Sequence, residues 1–516
     1  MHPTGFKKWI IVITVVIASL LEMIDTTVVN VSLTDIMGNL GATLEDVAWV
    51  ITAYAVANVI ILPMTGWLSS KFGRRNYFVF SILLFTVASF FCGNAHSIWE
   101  LVVFRFIQGI GGGALLSTSQ SILFETFKPE ERGMATAIFG LGVVIGPTFG
   151  PTIGGFITDH YSWPWIFYVN LPLGILAAML SLTFIKESVD RKVIDRVDWW
   201  GIGLLIVGIG ALQIVLERGE TEDWFDTTYI VILSVVSVFA LLIFVWRELS
   251  IDYPVVDFRI MKDKSFSFGL VFSFILGFGL FASVFVFPIF CQNLLGFTAQ
   301  QTGELMIPSG LVTIIVMPLV GNLLKKNFPP QVMAVVGFAI FFLFTQMLSH
   351  STLVSGESDF FLPLLMRGIG MGCLFVPLTA MGLSGLKGKD MAQGVGLNNM
   401  IRQLGGSFGV ALMTTFIHNR MALHRVNLIS HINVYETATQ DRLNILSQGF
   451  LSRGSTPAAA GQMANAAMEG TVIRQSMLMS YMDCFWIIGI FFLFCIPLIL
   501  FQKKSKNAIV SMEGVH

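Results

Sequence analysis

Charge is what this sequence has least of. Only 12% of its 516 residues are charged and 54% are hydrophobic, where soluble domains carry about 25% charged residues. That balance excludes an ordinary soluble domain and predicts an all-α polytopic membrane protein. The net charge of −1 leaves no basic excess for a nucleic acid. Cysteine is scarce too: Cys92, Cys291, Cys373, Cys484 and Cys495 fall within or beside apolar runs, with neither metal-ligand spacing nor a disulfide framework. No Gly-x-x-x-x-Gly-Lys-[Ser/Thr] loop occurs, so no P-loop nucleotide site is expected; no metal or other cofactor is implied. The short loops lack clustered His, Asp or Cys, which argues against a membrane-bound acyl or glycosyl transferase, and His424 and His431 show no obvious acidic partner. The basic, then apolar, amino terminus is not followed by a small-residue cleavage site, so it reads as an uncleaved span.

Long apolar runs are what the chain has in abundance. Fourteen reach the roughly 20 residues needed to cross a bilayer, near residues 9–33, 46–66, 77–95, 99–124, 134–157, 165–185, 199–217, 228–247, 266–291, 302–324, 331–349, 360–383, 393–418 and 478–501. Thr43 followed by Asp46 suggests a cap on the second. With the amino terminus inside, 22 of the 31 Lys and Arg, Lys503 among them, fall in cytoplasmic segments, which places both termini in the cytoplasm. The chain also repeats. LPMTGWLSSK (62–71) aligns with MPLVGNLLKK (317–326), and Arg105 with Arg367, at equivalent places in two six-helix sets. Parallel repeats of this kind characterise the major facilitator fold. The expected domains are 1–190, a six-helix bundle; 191–255, a linker with two inserted helices; and 256–516, a second bundle that includes the extracytoplasmic segment 419–476, expected to form short helices.

Two carboxylates in the first span pose the main question. An acid near the bilayer centre costs about 2.5–3.5 kcal/mol on insertion scales. Yet Glu22 and Asp25 lie roughly 20 and 24 Å along the helix from Trp9, too deep for either to reach a surface. Three apart, they share a face. Acids so placed serve proton relays or find a neutral partner in a neighbouring helix. In LVVFRFIQGIGGG (101–113), Arg105 shares a face with Gly109 and Gly113. It must find a carboxylate, carbonyl or water, so it either tunes a nearby acid or braces a loop.

GVVIGPTFGPTIGG (142–155) sets Gly142, Gly146, Gly150 and Gly154 in one stripe, with Pro147 and Pro151 on the adjacent row. Glycines allow backbone contact with another helix and prolines bend a helix, so the pattern predicts a close-packed seam with a hinge. In GWLSSKFGRR (66–75), Gly66 and Gly73 permit a tight turn, while Lys71, Arg74 and Arg75 bring positive charge to the inner surface. Near the carboxyl end, NNMIRQLGGSFGVAL (398–412) puts Asn398 and Arg402 on one helix face, and Glu304 lies near the outer end of the tenth span.

These motifs resemble the fourteen-helix drug:proton antiporters of the major facilitator superfamily, the EmrB/QacA group, and the EmrB branch most closely. The segment from Asp25 through Thr27 to Asn30-Val31 is similar to the helix-1 signature of that group. Residues 66–75 resemble its loop signature, with Ser70 where Asp is usual. Arg105-x-x-Gln108-Gly109 resembles the helix-4 signature, and 142–155 the antiporter signature of helix 5. WPWIFYVNLPLG (163–174), PVVDFRI (254–260) and 398–412 extend the likeness along the chain. The resemblance implies export of amphipathic drugs across the bacterial inner membrane in exchange for protons, with antibiotic resistance as the outcome. It implies proton coupling at Asp25 and Arg105, and conformational switching through the glycine, proline and basic residues of 66–75 and 142–154. It further implies a periplasmic membrane-fusion adaptor and an outer-membrane channel as partners. Glu22 lies outside the signature and either faces a substrate cavity or sits in a satisfied polar pocket; Asn30, Asn398 and Arg402 are further cavity candidates, and Glu304 is either solvated or a second acid in substrate entry. A narrow-range exporter of one metabolite, such as a siderophore or fatty acid, is equally compatible with the residues.

Overall fold

The computed structural model describes residues 5–187, 197–386, 388–433 and 435–500. The proposed boundary at 190/191 and the basic tail with Lys503 lie outside them. Seven helices come first: α1 (Phe6–Leu40), α2 (Leu44–Phe72), α3 (Arg74–Gly93), α4 (Ile98–Thr126), α5 (Arg132–His160), the short α6 (Trp165–Tyr168) and α7 (Asn170–Phe184). Together α6 and α7 make one span. Then come α8 (Trp199–Arg218), α9 (Thr228–Ser250), α10 (Lys264–Asn293), α11 (Ala299–Lys325), α12 (Pro330–Leu348), α13 (Glu357–Leu383), α14 (Lys389–Ser430), α15 (Thr437–Leu451) and α16 (Pro457–Leu500).

Short polar caps punctuate the apolar runs. Thr43 accepts from the Asp46 N–H at the start of α2, as its spacing predicts; Ser97 does the same for Glu100, and Thr298 with Gln301 closes a full capping box on α11. Among the described residues, thirteen helices are long and apolar enough to cross a bilayer. The fourteenth span is α14, whose apolar character is diluted by Asn398, Asn399, Arg402 and Gln403.

The two six-helix sets pack alike. In the first, α1 lies on α5, α2 and α3 on α4, and α3 on α7. In the second, α10 lies on α14, α11 and α12 on α13, and α12 on α16. The halves meet along α5–α11 and α2–α14. The inserted helix α8 packs on α9 but also on α2 and α14, one from each half. Gln213 of α8 donates to Ser407 of α14 at 2.7 Å and to Glu217 at 2.8 Å. Just beyond α8, Trp224 donates to Thr415 of α14 at 2.9 Å, while Arg218 lies over the Trp49 ring of α2. The insertion is therefore a strut between the halves as well as a connection.

One expectation is corrected outside the bundle. Segment 419–476 is not a chain of short helices: α14 continues to Ser430 and α16 already begins at Pro457, so α15 alone is a separate short helix there. Alanine-rich sequence favours helix, and Arg425 ties the two extensions together through Glu469 at 2.5 Å. His424 does have an acidic partner. Its Nε2 lies 2.8 Å from Asp483 of α16, which also accepts from Arg420. Sequence distance hid that pairing.

Candidate functional site

Asp25 is buried in the interior of the first half, 2% exposed. Its Oδ2 accepts from Arg105 Nη1 at 2.5 Å, and its Oδ1 from Gln108 and Asn170, each at 2.9 Å. Ser89 accepts from the same two amides, and the Arg105 guanidinium lies 4.1 Å from the Tyr54 ring centroid. Four helices, α1, α3, α4 and α7, thus converge on one carboxylate. Such a pair withstands burial because further hydrogen bonds support it: Arg105 also donates to the Val50 carbonyl and to Gln108 Oε1. In the second half Arg367 holds the position that repeats Arg105. It donates to Ser283 of α10 and Ser309 of α11; a serine stands where the first half has its acid. The ion pair therefore belongs to one half.

Glu22 shares a helix face with Asp25 but finds other company. Its Oε1 accepts from Asn58 of α2 at 2.8 Å, and its Oε2 has no hydrogen-bond partner among the described residues. Across the midline, Arg402 of α14 donates through Nη2 to Asn399 at 2.7 Å, while its Nη1 has no partner among the described residues. The Glu22 carboxyl and the Arg402 guanidinium form no salt bridge with each other among the described residues. Phe139 of α5 and Phe375 of α13 flank the guanidinium with ring centroids at 5.7 and 5.2 Å. Asn399 in turn donates to Ser117 and Gln120 of α4. Here a carboxylate oxygen, a guanidinium N–H and the Tyr54 hydroxyl are all buried without hydrogen-bond partners among the described residues. Buried polar groups carry a free-energy cost when unsatisfied, so this midline can exchange bonds with a guest.

The other cavity candidates are placed differently. Asn398 is buried against α10, accepting from Ser273. Asn30 is exposed on α1. Glu304 is also exposed and accepts from Gln300 within its own helix. The structure does not bring these three together with Glu22 and Arg402.

The glycine stripe is a seam against α1. Side chains at Gly146 and Gly150 would overlap Met23 and Thr27, and a Cβ at Gly142 would sit 3.1 Å from that of Ser19. A Cβ at Gly154 would lie 2.9 Å from the Val28 carbonyl. α5 runs unbroken through Pro147 and Pro151, and Thr27 donates to the Gly146 carbonyl across the seam at 3.4 Å. The opposite face of α5 meets α11 of the other half at Gly133, Gly140 and Thr152. Gly109 and Gly113 likewise admit the α2 backbone.

At the basic end of the bundle, Gly66 abuts the Gln393 backbone of α14, and Gly73 adopts φ +88°, open to glycine at no steric cost. Lys71 lies over Trp67. Among the described residues Ser70 bonds only back to Gly66, but acids from elsewhere hold this turn: Glu125 pairs with Arg74, and Glu187 accepts from the Arg75 N–H at 3.2 Å. Beside it Glu131 binds Lys8 at 2.8 Å and Lys325 of the opposite half at 3.3 Å. The Lys8 hydrogen bond, seconded by Lys325, pulls the Glu131 carboxyl down to about 2. Gln108 and Asn170 lie within recognisable motifs, but spacing gave them no role. Asn58, Asn399 and Glu131 carried no signal, since their partners are distant in sequence.

Residues 15–410 match the profile of the Major Facilitator Superfamily. The chain is 35% identical over 490 residues to the multidrug export protein EmrB of Haemophilus influenzae, covering 94% of each chain. It is 32% identical over 514 residues to EmrB of Escherichia coli strain K12, covering 99% of this chain and 98% of that one. It is 32% identical over 496 residues to the fatty acid resistance protein FarB of Neisseria gonorrhoeae, covering 95% of each. Among solved structures, the human organic anion transporter MFSD10 (TETRAN) superposes with a TM-score of 0.57 at 12% identity, covering 94% of this chain and 99% of that one, a likeness of fold. The fourteen-helix architecture, the repeated halves and these near full-length relatives agree, and the chain belongs to the Major Facilitator Superfamily, within its EmrB branch of membrane transporters.

Proposed function

We propose that this protein is a proton-coupled antiporter that exports amphipathic toxic compounds across the bacterial inner membrane, with both termini in the cytoplasm. The observation that carries the reading is the convergence of Arg105, Gln108 and Asn170 on Asp25. Three donors aimed at one carboxylate leave it acting as an acceptor alone. A proton arriving from the outer side turns one acceptor into a hydroxyl donor, which is incompatible with the Arg105 bond. The disturbance lies on α1, whose stretch from Ser19 to Val28 is clasped by the α5 glycines, and α5 also forms the seam with the other half. Protonation is thereby linked to the tilt of one half past the other, the motion expected of parallel repeats around a midplane site.

The substrate would occupy the midline between Glu22 and Arg402, its apolar part against Phe139 and Phe375. The multidrug export relatives favour several substrates, and the resemblance of the motifs is the ground for a tripartite assembly with a membrane-fusion adaptor and an outer-membrane channel. The FarB likeness, together with the free Arg402 N–H, supports the narrower alternative of a single anionic metabolite such as a fatty acid. Growth of a deletion strain across a panel of toxic compounds separates the two: sensitivity to one class alone selects the narrow exporter. Asp25→Asn should insert normally yet lose proton-driven efflux in inverted vesicles, with Asp25→Glu restoring part of it. Unchanged efflux by Asp25→Asn sinks the proton-carrier role.

A further inference from the structure

On the outer flank of the second half, α10, α14 and α16 leave a cavity of about 540 Å³. Its wall is hydrocarbon, formed by Leu270, Phe274 and Ile275 of α10, Ile401 of α14, and Phe491 and Leu498 of α16. The lip residues Phe494 and Val271 are exposed, 72% and 52%. They belong to helices that cross the bilayer, so lipid tails lie in front of this trough. One end is different. Met261 and Ser267 line it there, and the adjoining Lys262 and Lys264 are exposed and make no ion pair among the described residues. The acid between them, Asp263, is turned into the first turn of α10, where it accepts from the Ser265 and Phe266 N–H groups. In the preceding loop Asp257 accepts from Arg259, and Asp252 is exposed on the far side of that turn's sequence. An apolar trough thus ends at two ammonium groups with which no acid among the described residues forms an ion pair.

We propose that this trough binds an anionic phospholipid, with one acyl chain lying along Leu270, Phe274 and Ile401 and the headgroup phosphate held between Lys262 and Lys264. A bilayer lipid brings both parts at the right separation: tail beside the transmembrane helices, phosphate at their ends. Basic residues beside helix ends draw such headgroups. A second copy of the chain fits less well, because a twofold axis along the membrane normal would set the two lysine pairs at the same depth. The lipid would brace the α10–α14 seam, where Gly277 already meets the Arg402 backbone, and so rigidify the half that carries Arg402.

The test uses the full chain, delipidated in detergent and titrated with phosphatidylglycerol or phosphatidylcholine while bound lipid is counted by native mass spectrometry. The parent should retain phosphatidylglycerol in preference to phosphatidylcholine. Lys262→Gln with Lys264→Gln should weaken phosphatidylglycerol by about thirtyfold, from roughly 1 kcal/mol per lysine, and leave phosphatidylcholine unchanged. Val271→Trp, at the exposed lip where folding is not threatened, should block the trough and lower binding of both lipids. Equal retention of the two lipids by the parent, or a double variant with its preference intact, overturns the proposal. So does a Val271→Trp protein that holds phosphatidylglycerol as the parent does.

Discussion

Asp25 draws its three donors from two helices other than its own, and none of the three is close to it in sequence. A carboxylate inside an apolar run is conspicuous, and so is an arginine, because each is costly to bury alone. Their alignment into one pair could be expected from the chemistry. The amides that complete the arrangement could not, since Gln108 and Asn170 are neutral residues on α4 and α7 whose role depends on how the helices turn toward one another. Gln108→Leu removes a donor to both Asp25 and Ser89. The loss of a bond to a charged group should cost about 1.5–3 kcal/mol, read as a lower unfolding midpoint in detergent, with efflux reduced in the same preparation. A midpoint equal to the parent's would show that Asp25 does not depend on that amide. Exposure separates Glu304 and Asn30 from Glu22, and sequence had no means to tell them apart: all are polar residues in apolar surroundings.

Among the elements, α5 was the most legible. A four-residue glycine period has one physical use, the close approach of another backbone, and the structure supplies α1 as that neighbour. Gly154 and Gly155 make a controlled comparison. A Cβ at Gly154 meets the Val28 carbonyl at 2.9 Å, whereas one at Gly155 meets nothing within 4 Å. Gly146→Leu should force α1 and α5 apart, cost at least about 1–3 kcal/mol and cripple efflux, while Gly155→Ala should match the parent in the same vesicle assay. Normal efflux by Gly146→Leu would make the seam dispensable. The inserted α8 was the least legible element. Its span could be counted, but its bonds to α14 through Gln213 and its stacking on α2 through Arg218 join helices remote in the chain. The outward lengths of α14 and α16 were missed for a related reason: helical propensity outside the bilayer leaves no hydropathy signature.

Across the whole molecule, the twofold repeat could be read from two short motifs, and the matching helix pairings bear it out. The state in which the halves are held could not, because it depends on contacts such as Glu131–Lys325 that cross from one half to the other. The Glu131 carboxyl lies at about 2 against an ordinary 4.5. With its value depressed in the folded state, its contribution is complete above about 4.5 and is lost as pH falls toward 2. This latch therefore stays charged near neutral pH. Spin labels at Lys128→Cys and Lys326→Cys, in a background without the native cysteines, should report one separation from about pH 5 to 8. Glu131→Gln should lengthen or broaden that separation; an unaltered distribution would remove the latch from the closed state. A last consequence follows from the lengths of α14 and α16, about 63 and 66 Å at 1.5 Å per residue, twice a hydrocarbon core of about 30 Å. Arg402 sits about a third of the way along one of these rods. When the second half leans, the free ends beyond the lipid must sweep through a wider arc than the helices within it, so the direction in which the midline opens is displayed mechanically, outside the bilayer, at a distance from the bound guest.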